Sequence, residues 1–114
     1  MTDADFAPRD VTRLGHLVDT CDRIARYTAG GRASLNDERT YDAVLRCLTI
    51  IGEALGALSD EAYARLGSVP PQLPKAQRNL IVHEYWRIDP DVVWATCERH
   101  VPLLRDDAAT LLGR

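Results

Sequence analysis

The stretch YDAVLRCLTIIGEALGAL, residues 41–58, decides the fold class. Tyr41, Val44, Leu45, Leu48, Ile51, Leu55 and Leu58 recur at steps of three or four, and Cys47, Ile50 and Ala54 widen the apolar arc. A period near 3.6 is helical, and an arc this broad marks the central helix of a bundle. Gly52 and Gly56 stand one turn apart inside it. Each costs about 1 kcal/mol against Ala in a helix, a loss that the close approach of a second helix can offset. Glu53 interrupts the apolar run and is expected at its solvent edge. Just upstream, ASLNDERT (33–40) offers Ser34 or Asn36 as an N-cap, followed by acidic residues that suit a helix start.

Toward the N-terminus, Val11, Leu14, Val18, Cys21 and Ala25 form a second stripe, broadened by Leu17 and Ile24, begun after Pro8 and stopped by Gly30-Gly31. Its other face, with Arg9, Arg13, Asp19, Asp22, Arg23 and Arg26, reads as solvated. Toward the C-terminus, Ser59 caps a short helix through Leu66, Gly67 ends it, and SVPPQLP (68–74) forces an extended path. A fourth helix starts between Leu73 and Ala76 and runs to a break at Asp89-Pro90. There Asp is a good N-cap and Pro a good first residue for a fifth helix. That helix carries Val92, Val93, Trp94 and Ala95, is disturbed at Pro102, and resumes with Leu103, Leu104, Leu111 and Leu112. No strand alternation of useful length and no internal repeat occurs. The sequence predicts an all-α, up-and-down bundle of four to five helices in a single domain spanning residues 1–114.

Composition agrees with one core: 114 residues and 12.7 kDa, 46% hydrophobic and 27% charged. No run approaches the roughly 18 apolar residues of a membrane helix, and MTDADFAPRD lacks the basic and apolar regions of a secretion signal. A cytoplasmic protein without a membrane partner is expected. The net charge of −3 argues against coating nucleic acid through non-specific phosphate contacts, but leaves a local phosphate site open. Of 14 basic residues only Lys75 is not Arg, and the Arg fork grips phosphate or carboxylate with two hydrogen bonds. Cys21, Cys47 and Cys97 are odd in number, without a close pair, and are read as buried small hydrophobes rather than a disulfide or zinc set. No histidine and carboxylate cluster has metal-ligand spacing, so neither a metal nor another cofactor is expected.

The residues suited to chemistry fall on the fourth predicted helix. With about 100° per residue and Arg78 at zero, Asn79 lies near 100°, His83 near 140° and Tyr85 near −20°. A guanidinium, an amide, an imidazole and a phenol thus share one side. Leu80 and Ile81 are the residues expected against the bundle, so the polar side is expected to face away from the chain's own core. Taken singly, each has a plainer role: Arg78 in a salt bridge, Asn79 as a spacer, His83 at the surface and Tyr85 at an amphipathic edge. Trp86 reads as packing, and His16 and His100 receive no function.

RNLIVHEY, Arg78 to Tyr85, resembles the signature of the HEPN superfamily, an Arg followed by a polar residue and separated from a His by four to six intervening positions. Tyr85, two residues after His83, is similar to the tyrosine of the HepT-type toxin branch. The resemblance extends over about residues 8–112. Ile51-Gly52-Glu53-Ala54-Leu55, the proline-bearing loop, the Arg-Asn helix, then Tyr85-Trp86-Arg87-Ile88-Asp89 and Asp91-Val92-Val93-Trp94, follow the order of that branch. LeuProLysAlaGln at 73–77 departs from it, because many relatives carry an aromatic residue before the Arg.

The resemblance implies a HEPN-like homodimer whose motif helices meet across a cleft, acting as a metal-independent endoribonuclease toxin on an RNA substrate. Arg78 and His83 are the implied catalytic residues, and the chemistry suits them. Attack by a 2′-hydroxyl needs a proton carrier that titrates near neutrality and a cation for the charge gathering on phosphorus. Asn79 would orient the phosphate or the imidazole. The family also implies a partner, a minimal nucleotidyltransferase antitoxin, which adenylylates the tyrosine at the position of Tyr85 and thereby blocks RNA. The alternative is a non-catalytic module that binds a nucleotide or a protein in complex with such a nucleotidyltransferase.

Overall fold

The structure, a computed structural model, describes residues 6–70, 74, 75, 78 and 89–114. The first helix, α1, spans Pro8–Tyr27, with Pro8 in its first turn, where a missing N–H costs nothing. It closes on Thr28, whose N–H and hydroxyl both donate to the Ile24 carbonyl at 3.0 and 2.7 Å. Gly31, at φ 81°, then turns the chain through a conformation that side chains disfavour. A 3-10 turn, Arg32–Asn36, precedes α2, Glu38–Ala57.

The α2 cap is Asp37, not Ser34 or Asn36 as the sequence suggested. The 3-10 turn takes up both earlier candidates. The Asp37 carboxylate accepts from the Thr40 N–H at 3.0 Å and the Thr40 hydroxyl at 2.8 Å. Those bonds, the hydroxyl's foremost, hold the Asp37 carboxyl below its ordinary pKa.

Ser59 caps the short α3, Asp60–Ala64, by accepting from the Ala62 N–H, as its sequence position predicted. Asp89 likewise caps α4, Pro90–Ala95, with Pro90 in its first turn. The disturbance expected at Pro102 takes a particular form. A π turn, Thr96–His100, runs directly into α5, Val101–Leu111, and the Val101 N–H reaches back five residues to the Thr96 carbonyl. A proline ring crowds the carbonyl four residues before it, that of Glu98, and the wider turn makes room.

Among the described elements, α1 rather than the more apolar α2 packs on both other long helices, α2 and α5. The core joins Leu14, Leu17 and Ile24 of α1 to Val44, Leu48 and Ile51 of α2 and to Leu104 and Ala108 of α5, all buried. Ala25, read as part of the α1 stripe, is exposed, while Glu53 is exposed as expected. All three cysteines are buried, and desolvation pushes the Cys21 thiol up to about 12 and the Cys97 thiol to about 11. Arg105 pairs with Asp22 at 3.0 Å across α5 and α1. Arg32 pairs with Asp91 at 3.0 Å between the 3-10 turn and α4. Exposed pairs of this kind orient elements more than they stabilise them. No strand occurs among the described residues, and no helix there is long and apolar enough to cross a membrane. The fold is all-α, as the sequence predicted.

Candidate functional site

Three buried or capped positions build the seat on which the motif arginine rests. Leu58 ends α2 in an extended conformation, which leaves its carbonyl without a helical partner. Ser59 follows as the α3 cap, and its hydroxyl and N–H donate to the buried carboxylate of Asp10 at 2.6 and 2.9 Å. This corner is therefore tied to the start of α1. Tyr63 lies one turn into α3, buried, with its hydroxyl donating to the Pro70 carbonyl at 2.9 Å. That bond anchors the proline-bearing loop that leads to the motif. Burial pushes the Tyr63 phenol above its ordinary pKa, and the neighbouring Arg78 charge pulls the other way.

Arg78 closes the arrangement. Its N–H donates to the Pro74 carbonyl at 3.2 Å, a helical i to i−4 bond. Its side chain reaches back to α2 and α3. Nη1 donates to the Leu58 carbonyl at 3.0 Å, and Nη2 donates to Asp60 Oδ1 at 2.7 Å. The guanidinium carbon lies 3.9 Å from the centroid of the Tyr63 ring, a cation over an aromatic face. The Arg78 side chain is 3% exposed and that of Asp60 85%.

This corrects one expectation. Arg78 does not face away from the chain's own core. The helical wheel grouped it with Asn79, His83 and Tyr85 on a side expected to face away from the bundle, but a long side chain follows its acceptors, and these lie 18 and 20 residues back along the chain. The plainer reading of Arg78 as an ion-paired residue describes its present contacts. Asn79, His83 and Tyr85 lie outside the described residues, as does the body of the predicted fourth helix.

A second feature escaped the sequence reading. Arg13 and His16 of α1 and Glu53 of α2 line a groove of about 220 Å³ floored by Ile50, Ala54 and Ala57. The only sequence signal was the spacing of Arg13 and His16 on the polar face of α1, which nothing distinguished from solvation. His100 is exposed at the end of the π turn. Among the described residues, no three His, Cys, Asp or Glu side chains group as metal ligands.

Comparison with known proteins adds what this geometry leaves open. The chain is 26% identical over 103 residues to "Putative RNase TTE0752" of Caldanaerobacter subterraneus subsp. tengcongensis, covering 89% of this chain and 92% of that one. It is 31% identical over 71 residues to "Probable ribonuclease HepT" of Thermococcus cleftensis, covering 62% of this chain and 64% of the other. It is also 23% identical over 101 residues to "Gamma-glutamylcyclotransferase and putative RNase MJ0434" of Methanocaldococcus jannaschii, covering 87% of this chain but 46% of that protein. The chain thus spans about half to two thirds of the length of most of the curated relatives it matches. No solved structure matches. The family profile described as "Ribonuclease HepT-like" matches residues 17–111, a span that holds the Arg78 seat and the whole RNLIVHEY motif, and the chain belongs to that family.

Proposed function

We propose that this chain is a metal-independent endoribonuclease, the toxin of a toxin-antitoxin pair, acting in the cytoplasm as a homodimer with one composite cleft. The observation that carries the reading is the intact RNLIVHEY motif, Arg78 to Tyr85, within the part of the chain that matches the ribonuclease family. In the proposed reaction, the substrate 2′-oxygen attacks phosphorus, its proton passes to a His83 imidazole, and the departing 5′-oxygen takes a proton from an imidazolium. The 2′,3′-cyclic phosphate and a free 5′-hydroxyl result. Arg78 offsets the negative charge on the phosphoryl oxygens, and Asn79 orients the phosphate or the imidazole. A two-fold dimer would bring a second copy of this set to the same cleft. Tyr85 is the proposed site at which a minimal nucleotidyltransferase antitoxin attaches adenylate, whose bulk and negative charge would exclude RNA.

The experiment is incubation of the purified chain with RNA in the presence of a chelator, beside His83→Ala. Cleavage by the wild type and a loss of about 10² or more in the variant supports the reading. Equal cleavage by both would sink it. Light scattering at micromolar concentration is expected to give about twice 12.7 kDa. A monomer would remove the composite cleft.

One observation favours a second reading, a non-catalytic module that binds a nucleotide or a protein in complex with a nucleotidyltransferase. Arg78, the proposed cation, is enclosed and paired with Asp60 rather than presented to solvent. Binding of RNA without any cleavage would select this alternative.

A further inference from the structure

Two of the contacts that hold Arg78 are neutral and come from buried or helix-ending positions, the Leu58 carbonyl and the Tyr63 ring. Neither can leave without opening the core: Leu58 and Tyr63 are 0% and 2% exposed, and the Tyr63 hydroxyl is tied to Pro70. A third contact differs in kind. Asp60 brings a full negative charge on a side chain that is 85% exposed, at the first position of α3. Its carboxylate can swing into water by rotation about its own side-chain bonds. Of these three contacts, two come from fixed neutral partners and one from a movable anion.

We propose that Asp60 is a gate on Arg78: its carboxylate occupies the guanidinium in the free chain, and a phosphate oxygen of RNA takes its place when the site is loaded. The inference rests on the reading of Arg78 as the phosphate-binding cation. Carboxylate and phosphate oxygens are equivalent acceptors for a guanidinium, so exchange preserves the charge-assisted bond and leaves the Leu58 and Tyr63 contacts in place. While Asp60 stays, the pair is neutral overall, and an incoming phosphodiester meets a like charge beside the cation. Phosphate binding therefore displaces an anion, and discrimination against weakly bound anions follows from that competition. The gate also reconciles an enclosed arginine with chemistry that needs it at a phosphate.

The test compares Asp60→Asn with the parent chain, both carrying His83→Ala so that RNA stays intact. Binding of a fluorescent oligoribonucleotide is followed by anisotropy. The gate predicts that Asp60→Asn binds about three- to tenfold more tightly at low salt, with the difference shrinking as salt screens the repulsion. Asp60→Ser, which also removes the charge at a helix start, runs in parallel in case the amide variant folds poorly. Independently, the Arg78 Nε–H resonance, identified by its loss in Arg78→Lys, is titrated with inorganic phosphate, and it should respond at lower phosphate in Asp60→Asn. Equal or weaker RNA binding by both variants at an unchanged thermal midpoint would overturn the gate and make Asp60 a brace. If no protein binds RNA, the ribonuclease reading falls, and the phosphate titration still decides the gate: an unaltered response rejects it.

Discussion

The carboxylate of Asp10, 4% exposed near the start of α1, accepts both the N–H and the hydroxyl of Ser59, 49 residues further along the chain. The bond pair clamps the first turn of α1 to the corner between α2 and α3, where Leu58 and Asp60 wait for Arg78. Asp10→Ala leaves two donors of Ser59 unpaired in a half-buried place and is expected to lower stability by roughly 1–3 kcal/mol. Ser59→Ala loses the hydroxyl bond and the α3 cap together. Urea unfolding should show a lower midpoint for each, and a midpoint unchanged in Asp10→Ala would mean the clamp contributes nothing.

Arg78→Ala is expected to lower stability as well as activity, because it strips a buried carbonyl and an aromatic face of their shared cation. The combined loss is about 2 kcal/mol or more. Arg78→Lys keeps the charge but not the fork that serves Leu58 and Asp60 at once, so its stability should fall less while cleavage still drops. Thermal unfolding beside cleavage rates separates the two effects. An Arg78→Ala protein as stable as wild type would contradict the contacts described for this side chain.

The three thiols give a chemical reading of the core. A thiol reagent at mildly alkaline pH should leave the native chain unmodified and react with all three cysteines in denaturant. The pH dependence has a definite sign. Cys21 and Cys97 hold their protons to about 12 and about 11 when folded, against an ordinary value of 9.0. Above that value the unfolded chain releases protons that the folded chain keeps, so stability falls as pH rises from about 9 through 11 and 12. Replacing either cysteine by Ala should flatten that decline. A decline equally steep in both variants would assign it to other groups.

Coexpression with a neighbouring nucleotidyltransferase, followed by the intact mass, tests the proposed role of Tyr85. One or more adenylate increments are expected in wild type and none in Tyr85→Phe, with RNA cleavage lost in the modified protein. Adenylate that persists in Tyr85→Phe would take this tyrosine out of the regulation.

The parts of the fold legible in the sequence are those governed by neighbours a few residues apart. Ser59 and Asp89 were readable as caps because each serves an N–H within three residues, and the buried faces of α1 and α2 followed largely from the helical period, Ala25 being the exposed exception in α1. The α2 cap was misread because Ser34, Asn36 and Asp37 all qualify chemically, and only the 3-10 turn chooses among them. That α1 packs on both other long helices among the described elements could not be read from hydropathy, which does not say which helices are neighbours. At the site, residue types gave the motif, but the direction of Arg78 depends on acceptors at the corner that follows α2 and in α3. A wheel drawn for one helix holds no information about those acceptors.

The π turn at Thr96–His100 and Pro102 constrain how this chain can change in length. A π turn is an α-helix that has absorbed one surplus residue, so removing one of the exposed Glu98, Arg99 or His100 would restore ordinary pitch while keeping Val93 and Leu104 on the same face. The shortened helix would then thrust the proline ring against a carbonyl that the wide turn now carries out of its way. Loss of a residue is thus damaging while the proline stays and tolerable once it has gone, which fixes the order in which this stretch can shorten.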